Sequence, residues 1–377
     1  MDLALNENQQ MIKATARDFI EREYPWQKVR DIQESATGFS DETWRQIADL
    51  GWLGLPFPES YGGTAGDLLD AAVLLEEIGR GLLPSPYTST VILCGLPILQ
   101  FGTEAQRREF LPQIAAGQRI LALALTEADP RCEASSVGLQ AARDGDDYLL
   151  TGRKLFVRDA NIADHLLVVA RTGVGADPTN GITLFLVDAA SPGIEATLLP
   201  TAAMDRQCDV AFKAVRVPQD RVLGTVGEGW PIVQWVLQRA ILAECAELIG
   251  VMQKVLDTSV EYAKNRVQFG RPIGSFQGIQ FKVADMVTDV DGARFITYYA
   301  IWKLLEGQPA GDDIARAKIW VSDASRRVVR EGHQIHGGIG FIKEHFLHLY
   351  FRRAKTGELM YGAADAHRHA LAASLLD

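Results

Sequence analysis

Between Glu261 and Met286 the chain reads EYAKNRVQFGRPIGSFQGIQFKVADM. A guanidinium (Arg266), a carboxamide (Gln268), a planar ring (Phe269) and two further carboxamides (Gln277, Gln280) fall around one chain reversal. A guanidinium fork binds phosphate through parallel N–H donors, and carboxamides pair with the polar edges of a heterocycle. The set suits a pyrophosphate-linked dinucleotide. An ordinary helical hairpin with a polar turn would gather the same residue types, and both readings stand on these residues alone. A second group, Gln334 with Gly337, Gly338 and Gly340, offers a backbone that a ligand can approach closely because no side chain intervenes. The same glycines also suit the end of a helix. His336, His345 and His348 lie near one another, but their spacing and the absence of a Cys-x-x-Cys pair give no metal site, so the last two are read as surface or packing residues.

These groups need long helices to hold them. Pro231 to Arg266 predicts one helix of about 50 Å at 1.5 Å per residue. Pro272, bracketed by Gly270 and Gly274, ends it in a tight turn, and Ser275 is a candidate cap for the next. Further helices are expected from about 276 to 306, from 312 to 336 and from 344 to a break near Thr356-Gly357, then to the end. Residues 1–121 also read as helical, with Ser40 and Thr103 as caps, Thr103 supported by Gln106 three residues on. Asp67 is placed to cap a helix carrying Leu68, Ala72, Leu75 and Ile78. From about Arg119 the period shortens: 120–125, 148–150, 155–157, 166–170 and 182–187 are apolar runs between turns, with Val210 to Val217 as the last. Strands with no helices between them predict an antiparallel β domain. Gly173-Val174-Gly175 is no dinucleotide fingerprint, since no helix is expected after it.

The expected fold is therefore α+β: an N-terminal helical domain (1–121), a middle β domain (122–222) and a C-terminal four-helix bundle (223–377). At 377 residues the chain is long enough for two or three cores, and 47% apolar residues fit a globular protein. A net charge of −10 disfavours a nucleic-acid partner. No apolar run approaches the roughly 20 residues that span a bilayer, and the N-terminal residues lack the pattern of a signal peptide. Four separated cysteines suit a reducing cytoplasm.

The run RVQFGRPIGSFQ resembles the flavin-binding turn of the acyl-CoA dehydrogenase family. QIHGGIGFIKEHFLHLYFRRAK resembles its Gln-x-x-Gly-Gly-x-Gly segment and the helix after it. Pro58-Glu-Ser-Tyr-Gly-Gly63 resembles its Pro-Glu-x-Tyr-Gly-Gly loop. The resemblance implies an FAD between the β domain and the bundle of one subunit, reaching the bundle of a neighbour. Arg266, Phe269 and Gln277 would contact the adenosine-diphosphate half, and Gln334, Gly337 and Gly338 would reach over from the adjacent subunit. On the ring side, Thr126 (followed by Glu127) would hydrogen-bond the flavin. Phe156 takes the place of a stacking Trp, and Arg158 stands where a small hydroxyl residue is common. A less regular stretch, Ala128 to Ser135, replaces the family's Gly-x-Gly-Ser-Asp.

The family removes two hydrogens from an acyl-CoA, a carboxylate taking the α proton while the β hydrogen leaves as hydride. Burial beside an apolar chain raises a carboxylate's pKa toward that task. Here Tyr361-Gly362-Ala363 falls on the family's usual Glu-Gly-Thr, and Ala240 falls on the alternative position in the long helix. Glu244, one turn along the same face, is a substitute candidate, and Asp365 replaces a family Gln near the flavin. The resemblance thus implies α,β-desaturation of an acyl-CoA, with an electron-transfer flavoprotein as acceptor and a homotetramer as assembly. An α2β2 arrangement, as in bacterial steroid side-chain degradation, would place the base in a partner chain. A flavin oxidase or monooxygenase, or a silent scaffold, are the remaining readings.

Overall fold

Asn6 opens the first helix by accepting the Gln9 N–H, while the Gln9 side chain accepts the Asn6 N–H. Thr103 and Gln106 form the same reciprocal cap, and Ser40 caps a third helix by accepting from Thr43. The computed structural model describes residues 4–173 and 175–376; Val174 lies outside the described residues. The helices are α1 (Glu7–Glu23), α2 (Trp26–Glu34), α3 (Asp41–Asp49), α4 (Leu68–Gly81), α5 (Leu96–Phe101), α6 (Glu104–Ala115), α7 (Trp230–Asn265), α8 (Gln277–Leu305), α9 (Gly311–His336), α10 (Leu347–Leu359) and α11 (Ala364–Leu376). The chain divides into two compact units.

One unit comprises Met1–Asp31, Leu68–Leu83 and Ile241–Asp377. Its helices approach closely. A Cβ on Gly250 of α7 would lie 1.8 Å from the Glu76 carbonyl oxygen of α4, and one on Gly79 would lie 2.0 Å from that of Glu247. Glycine is required on both sides of this crossing, since any side chain would push the backbones apart. Around it, the buried Glu76 accepts from Tyr298 (2.6 Å), Arg294 (3.3 Å) and Lys13 (3.3 Å). The break expected near Thr356-Gly357 comes a few residues later: Gly357 is inside α10, and the chain leaves the helix after Leu359, before α11 begins at Ala364. Its glycine is a packing device, because a Cβ there would meet Glu244 Oε1 at 2.5 Å and Leu248 Cδ2 at 2.7 Å.

The other unit comprises Ile32–Asp67 and Pro84–Ala240. Its strands are β1 (Leu121–Ala124), β2 (Gln140–Asp144), β3 (Asp147–Arg158), β4 (His165–Arg171), β5 (Ile182–Asp188), β6 (Ile194–Leu199), β7 (Gln207–Pro218) and β8 (Val222–Leu223). They run β6-β7-β3-β2-β4-β5-β8, with β1 on β4. The sheet is largely antiparallel, as expected, but β1 pairs β4 in parallel, and β2 touches β4 in parallel at Gln140 and Arg171. The runs at 148–150 and 155–157 are one strand with an irregular register. The last strand is β8, after Pro218, instead of β7. Tyr148, Leu150, Val168, Phe185, Val210 and Phe212 form its core. A π-helical segment (Thr88–Gly95), which periodicity did not reveal, leads into α5.

By contacts, α1 and α4 cluster with the C-terminal helices, whereas α3, α5 and α6 cluster in the unit that holds the sheet. Among the described residues, no helix is long and apolar enough to cross a membrane.

Candidate functional site

The end of α7 becomes a miniature hairpin. Val267–Gln268 pairs antiparallel with Arg271–Pro272, and the two residues between, Phe269 and Gly270, have φ of +53° and +77°. Positive φ at both central residues is the signature of a primed hairpin turn. Phe269 is thereby held out of the fold, 93% exposed, its ring edge-on to Phe276 at 6.1 Å. Arg271 lies over the Phe276 ring at 4.2 Å, and the Arg266 carbonyl accepts from Ile273 at 2.8 Å. Arg266 is exposed, just beyond the helix, and among the described residues no carboxylate pairs with it. Ser275 does not cap α8: it donates to the Pro272 carbonyl, and Phe276 occupies the cap position. Gln277 is the exposed first residue of α8.

At the far end of α9, Gln334, Gly337 and Gly338 are all exposed. Gly337 has φ +63°, and an added Cβ on either glycine would meet nothing within 4 Å. The backbone therefore stands clear of its own chain. An exposed aromatic beside an uncompensated guanidinium offers a contact surface to a dinucleotide, and the bare backbone after α9 offers a separate one.

In the sheet-bearing unit the ring-side candidates share one scaffold. Lys154, fully buried, donates to the Leu125 carbonyl (2.9 Å) and to Glu127 Oε1 (2.7 Å). Burial lowers its pKa to about 8, and Glu127 partly offsets this. Glu127 also accepts the Gly138 and Leu139 N–H groups, each at 3.0 Å. Thr126 lies between these anchors, and its carbonyl accepts from Leu155 at 2.8 Å. Past Lys154 the β3–β7 register slips before Val157. Such a bulge re-aims a side chain: Phe156 has φ +56° and is 51% exposed. Arg158 ends the strand, with its Nε 3.8 Å from Asp159. Cys132, at φ +54°, brings its sulfur 4.0 Å from the Thr126 hydroxyl.

The candidate bases fare differently. Tyr361 sits between α10 and α11 at φ +57°, and its carbonyl is 3.0 Å from His367 Nε2. Glu244, by contrast, is wholly buried and faces a helix interface. Arg353 of α10 bridges Glu244 (3.2 Å) and Glu247, and Gly357 closes over the Glu244 carboxylate. Lys318 of α9, also buried and with its pKa lowered by that burial, donates to the Gly357 carbonyl at 2.5 Å. Glu244, the substitute candidate, is thus a member of a buried ion pair. Ala240 is buried and carries no acid, and Asp365 is exposed and paired with Arg368 at 2.7 Å. His336 and His345 pack in an aromatic cluster, their ring centroids 5.3 Å apart. Sequence reasoning missed the Lys154–Glu127 tie and the Arg353 bridge. Lys154 within an expected strand and Arg353 within an expected helix were the available signals.

The chain matches the acyl-CoA dehydrogenase N-terminal domain over residues 6–118, the middle domain over 122–215 and the C-terminal domain over 227–376. It is 33% identical to the probable acyl-CoA dehydrogenase YngJ of Bacillus subtilis (strain 168), with 100% of each chain covered. It superposes on butyryl-CoA dehydrogenase from Megasphaera elsdenii with a TM-score of 0.92 and 32% identity, again over 100% of both chains. A chain of the ChsE4–ChsE5 complex from Mycobacterium tuberculosis superposes with a TM-score of 0.91 at 30% identity, covering 100% of this chain and 99% of that one.

Proposed function

The chain belongs to the acyl-CoA dehydrogenase family of FAD-dependent oxidoreductases, and on that premise we propose that it is the cofactor-holding chain of a two-protein acyl-CoA dehydrogenase. A different chain supplies the base. The observation that carries this reading is the fate of the carboxylates. Tyr361 stands where the resemblance puts the base, and Glu244 and Glu247 are committed to Arg353. An un-ionised phenol with an ordinary pKa of about 10 is a poor proton acceptor at neutral pH. The likeness to a chain of a two-protein complex supports the same reading.

Bound FAD supplies the hydride acceptor. Arg266 would hold its diphosphate, with Phe269 and Gln277 on the adenosine side. Gln334, Gly337 and Gly338 would serve the cofactor of an adjacent chain. Thr126, Phe156 and Arg158 would face the ring, and the Lys154–Glu127 tie keeps that backbone rigid. A cation such as Arg158 near the ring would favour its reduced, anionic form. The assembly would be an α2β2 tetramer working on a lipid- or steroid-derived acyl-CoA. An electron-transfer flavoprotein would be its acceptor. Four free cysteines fit a cytoplasmic setting.

The test is anaerobic titration with acyl-CoA thioesters of increasing size, following flavin absorbance. The chain alone should be yellow yet keep its colour, and should bleach only with its partner chain present. Bleaching of the isolated chain would remove the need for a second protein. A chain that stays colourless in excess FAD would remove the cofactor assignment.

A further inference from the structure

The turn between α10 and α11 is strained, and one side chain clamps it. Tyr361 has φ +57° and Gly362 has φ +94°. A left-handed backbone is free to glycine but costly to a tyrosine, and such strain persists only where the surroundings over-determine it. His367, half-buried on the first turn of α11, supplies the restraint, with its Nε2 3.0 Å from the Tyr361 carbonyl oxygen. A carbonyl only accepts, so Nε2 carries the proton of this bond. A Cβ on Gly362 would meet the same Nε2 at 3.2 Å and Cδ2 at 3.5 Å. The imidazole therefore lies against the turn and closes it off on the α11 side. The other flank is anchored as well. Lys318 of α9 donates to the Gly357 carbonyl at 2.5 Å, and the Met360 N–H donates to the Thr356 carbonyl at 3.0 Å.

We propose that His367 is a positioning residue for the acyl-CoA thioester, its hydrogen bond holding the Tyr361 turn in the left-handed conformation that bears on the bound substrate. This rests on the reading above in one respect: the Tyr361 turn, where the resemblance puts the base, lines the thioester site. His367 acts through the Tyr361 backbone and need not touch substrate or cofactor. The Tyr361 phenol is a poor base at neutral pH, so what the turn contributes is binding and orientation. Binding lost equally from the ground state and the transition state raises KM and leaves kcat in place. Without the His367 bond the turn relaxes toward negative φ, and apparent affinity falls with the fraction of chains still in the competent form. The strain of one left-handed residue sets the size of that fall at about tenfold.

The experiment is steady-state kinetics of the flavin-loaded two-chain enzyme, with the thioester that bleaches fastest in the titration above as probe. His367→Ala should raise KM about tenfold and leave kcat within about twofold. His367→Gln keeps an N–H donor at similar reach and should return KM to within about threefold of wild type, which loss of packing alone would not allow. His367→Asn, whose shorter amide cannot reach the carbonyl, takes the place of His367→Ala should that variant fail to fold. In a Tyr361→Gly background the left-handed turn costs nothing, so removing the imidazole should change KM by no more than about twofold.

An unchanged KM in both His367→Ala and His367→Asn overturns the proposal. So does a fall in kcat in place of the rise in KM, or an equally large effect in the Tyr361→Gly background. Bleaching of the isolated chain would remove the two-chain reading alone, and the same variants would then be compared on that chain. A flavin that no thioester bleaches, with or without the partner chain, removes the thioester site and this proposal with it.

Discussion

Arg353→Met should be the most damaging single change in the helical unit. The Arg353 side chain, only 13% exposed, is the cation between two buried carboxylates, Glu244 and Glu247. Removing one partner of a buried ion pair costs about 3–5 kcal/mol, chiefly because the charges left behind have lost their solvent. Lys318 gives only partial relief: it attracts Glu244 at longer range, but its ammonium donates to the Gly357 carbonyl. Against a domain stability of about 5–15 kcal/mol, this is a large fraction. Arg353→Lys should lose less, about 1–2 kcal/mol, because an ammonium keeps the charge but cannot offer a planar fork to two acids. The triple variant Arg353→Met, Glu244→Leu, Glu247→Leu should recover most of the loss, as apolar isosteres of a buried ion cluster usually do. Urea unfolding followed by circular dichroism, run on all three variants, decides it. A loss under about 1 kcal/mol for Arg353→Met, or a triple variant no more stable than the single one, would refute the argument.

Glu244→Gln should leave turnover of the two-chain enzyme within about threefold, whereas loss of a true general base costs about 10²–10⁴-fold; steady-state kinetics with the partner present separates the two. Phe269→Ala should leave thermal stability within about 0.5 kcal/mol, because the ring touches so little, yet weaken FAD retention on gel filtration. Lys154→Met tests the buried lysine through pH. Its folded pKa of about 8 lies below the ordinary 10.5, so between those values the unfolded chain binds more protons. Wild-type stability should therefore gain on the variant by about 1 kcal/mol per pH unit from 8 to 10.5, and denaturant melts at pH 8, 9 and 10 would expose a flat difference.

Much of this was legible in the residues, for identifiable reasons. Helices α7, α8 and α9 announce themselves through long periodic runs, and caps such as Ser40 and Thr103 act within three residues of themselves. The edge strand β6 was missed although Ile194, Ala196 and Leu198 alternate with Glu195 and Thr197, because the run is short and Glu195 to Leu198 are all exposed. The parallel pairing of β1 was hidden too, since its partner β4 lies some 40 residues on and nothing local to Leu121–Ala124 records direction. Gly357 misled for a related reason. A glycine in a helix reads as an ending, and only the neighbouring Glu244 and Leu248 show that it makes room. The role of Glu244 was similarly out of reach, because the cation that holds it is 109 positions away.

Backbone strain gives an independent line toward the same positions. Among the described residues nine non-glycine residues have positive φ, and three of these are aromatic: Phe156, Phe269 and Tyr361. A left-handed conformation costs an L-residue about 1–2 kcal/mol, and bulky rings are the least frequent occupants. Each of the three falls where the family resemblance puts the cofactor or the base, while Cys132 and Asp159 strain the backbone beside Thr126 and Arg158. Packing does not explain the first two, since both rings project from the fold. A sequence free to relax would put glycine or asparagine at such turns. Keeping a ring there at that cost makes sense if the ring meets a flat partner, and strain of this kind persists where the surroundings over-determine it. Tyr361 carries the same cost without offering a carboxylate. Its place in this chain is therefore better read as part of a surface that closes on a cofactor or thioester than as the seat of the proton transfer.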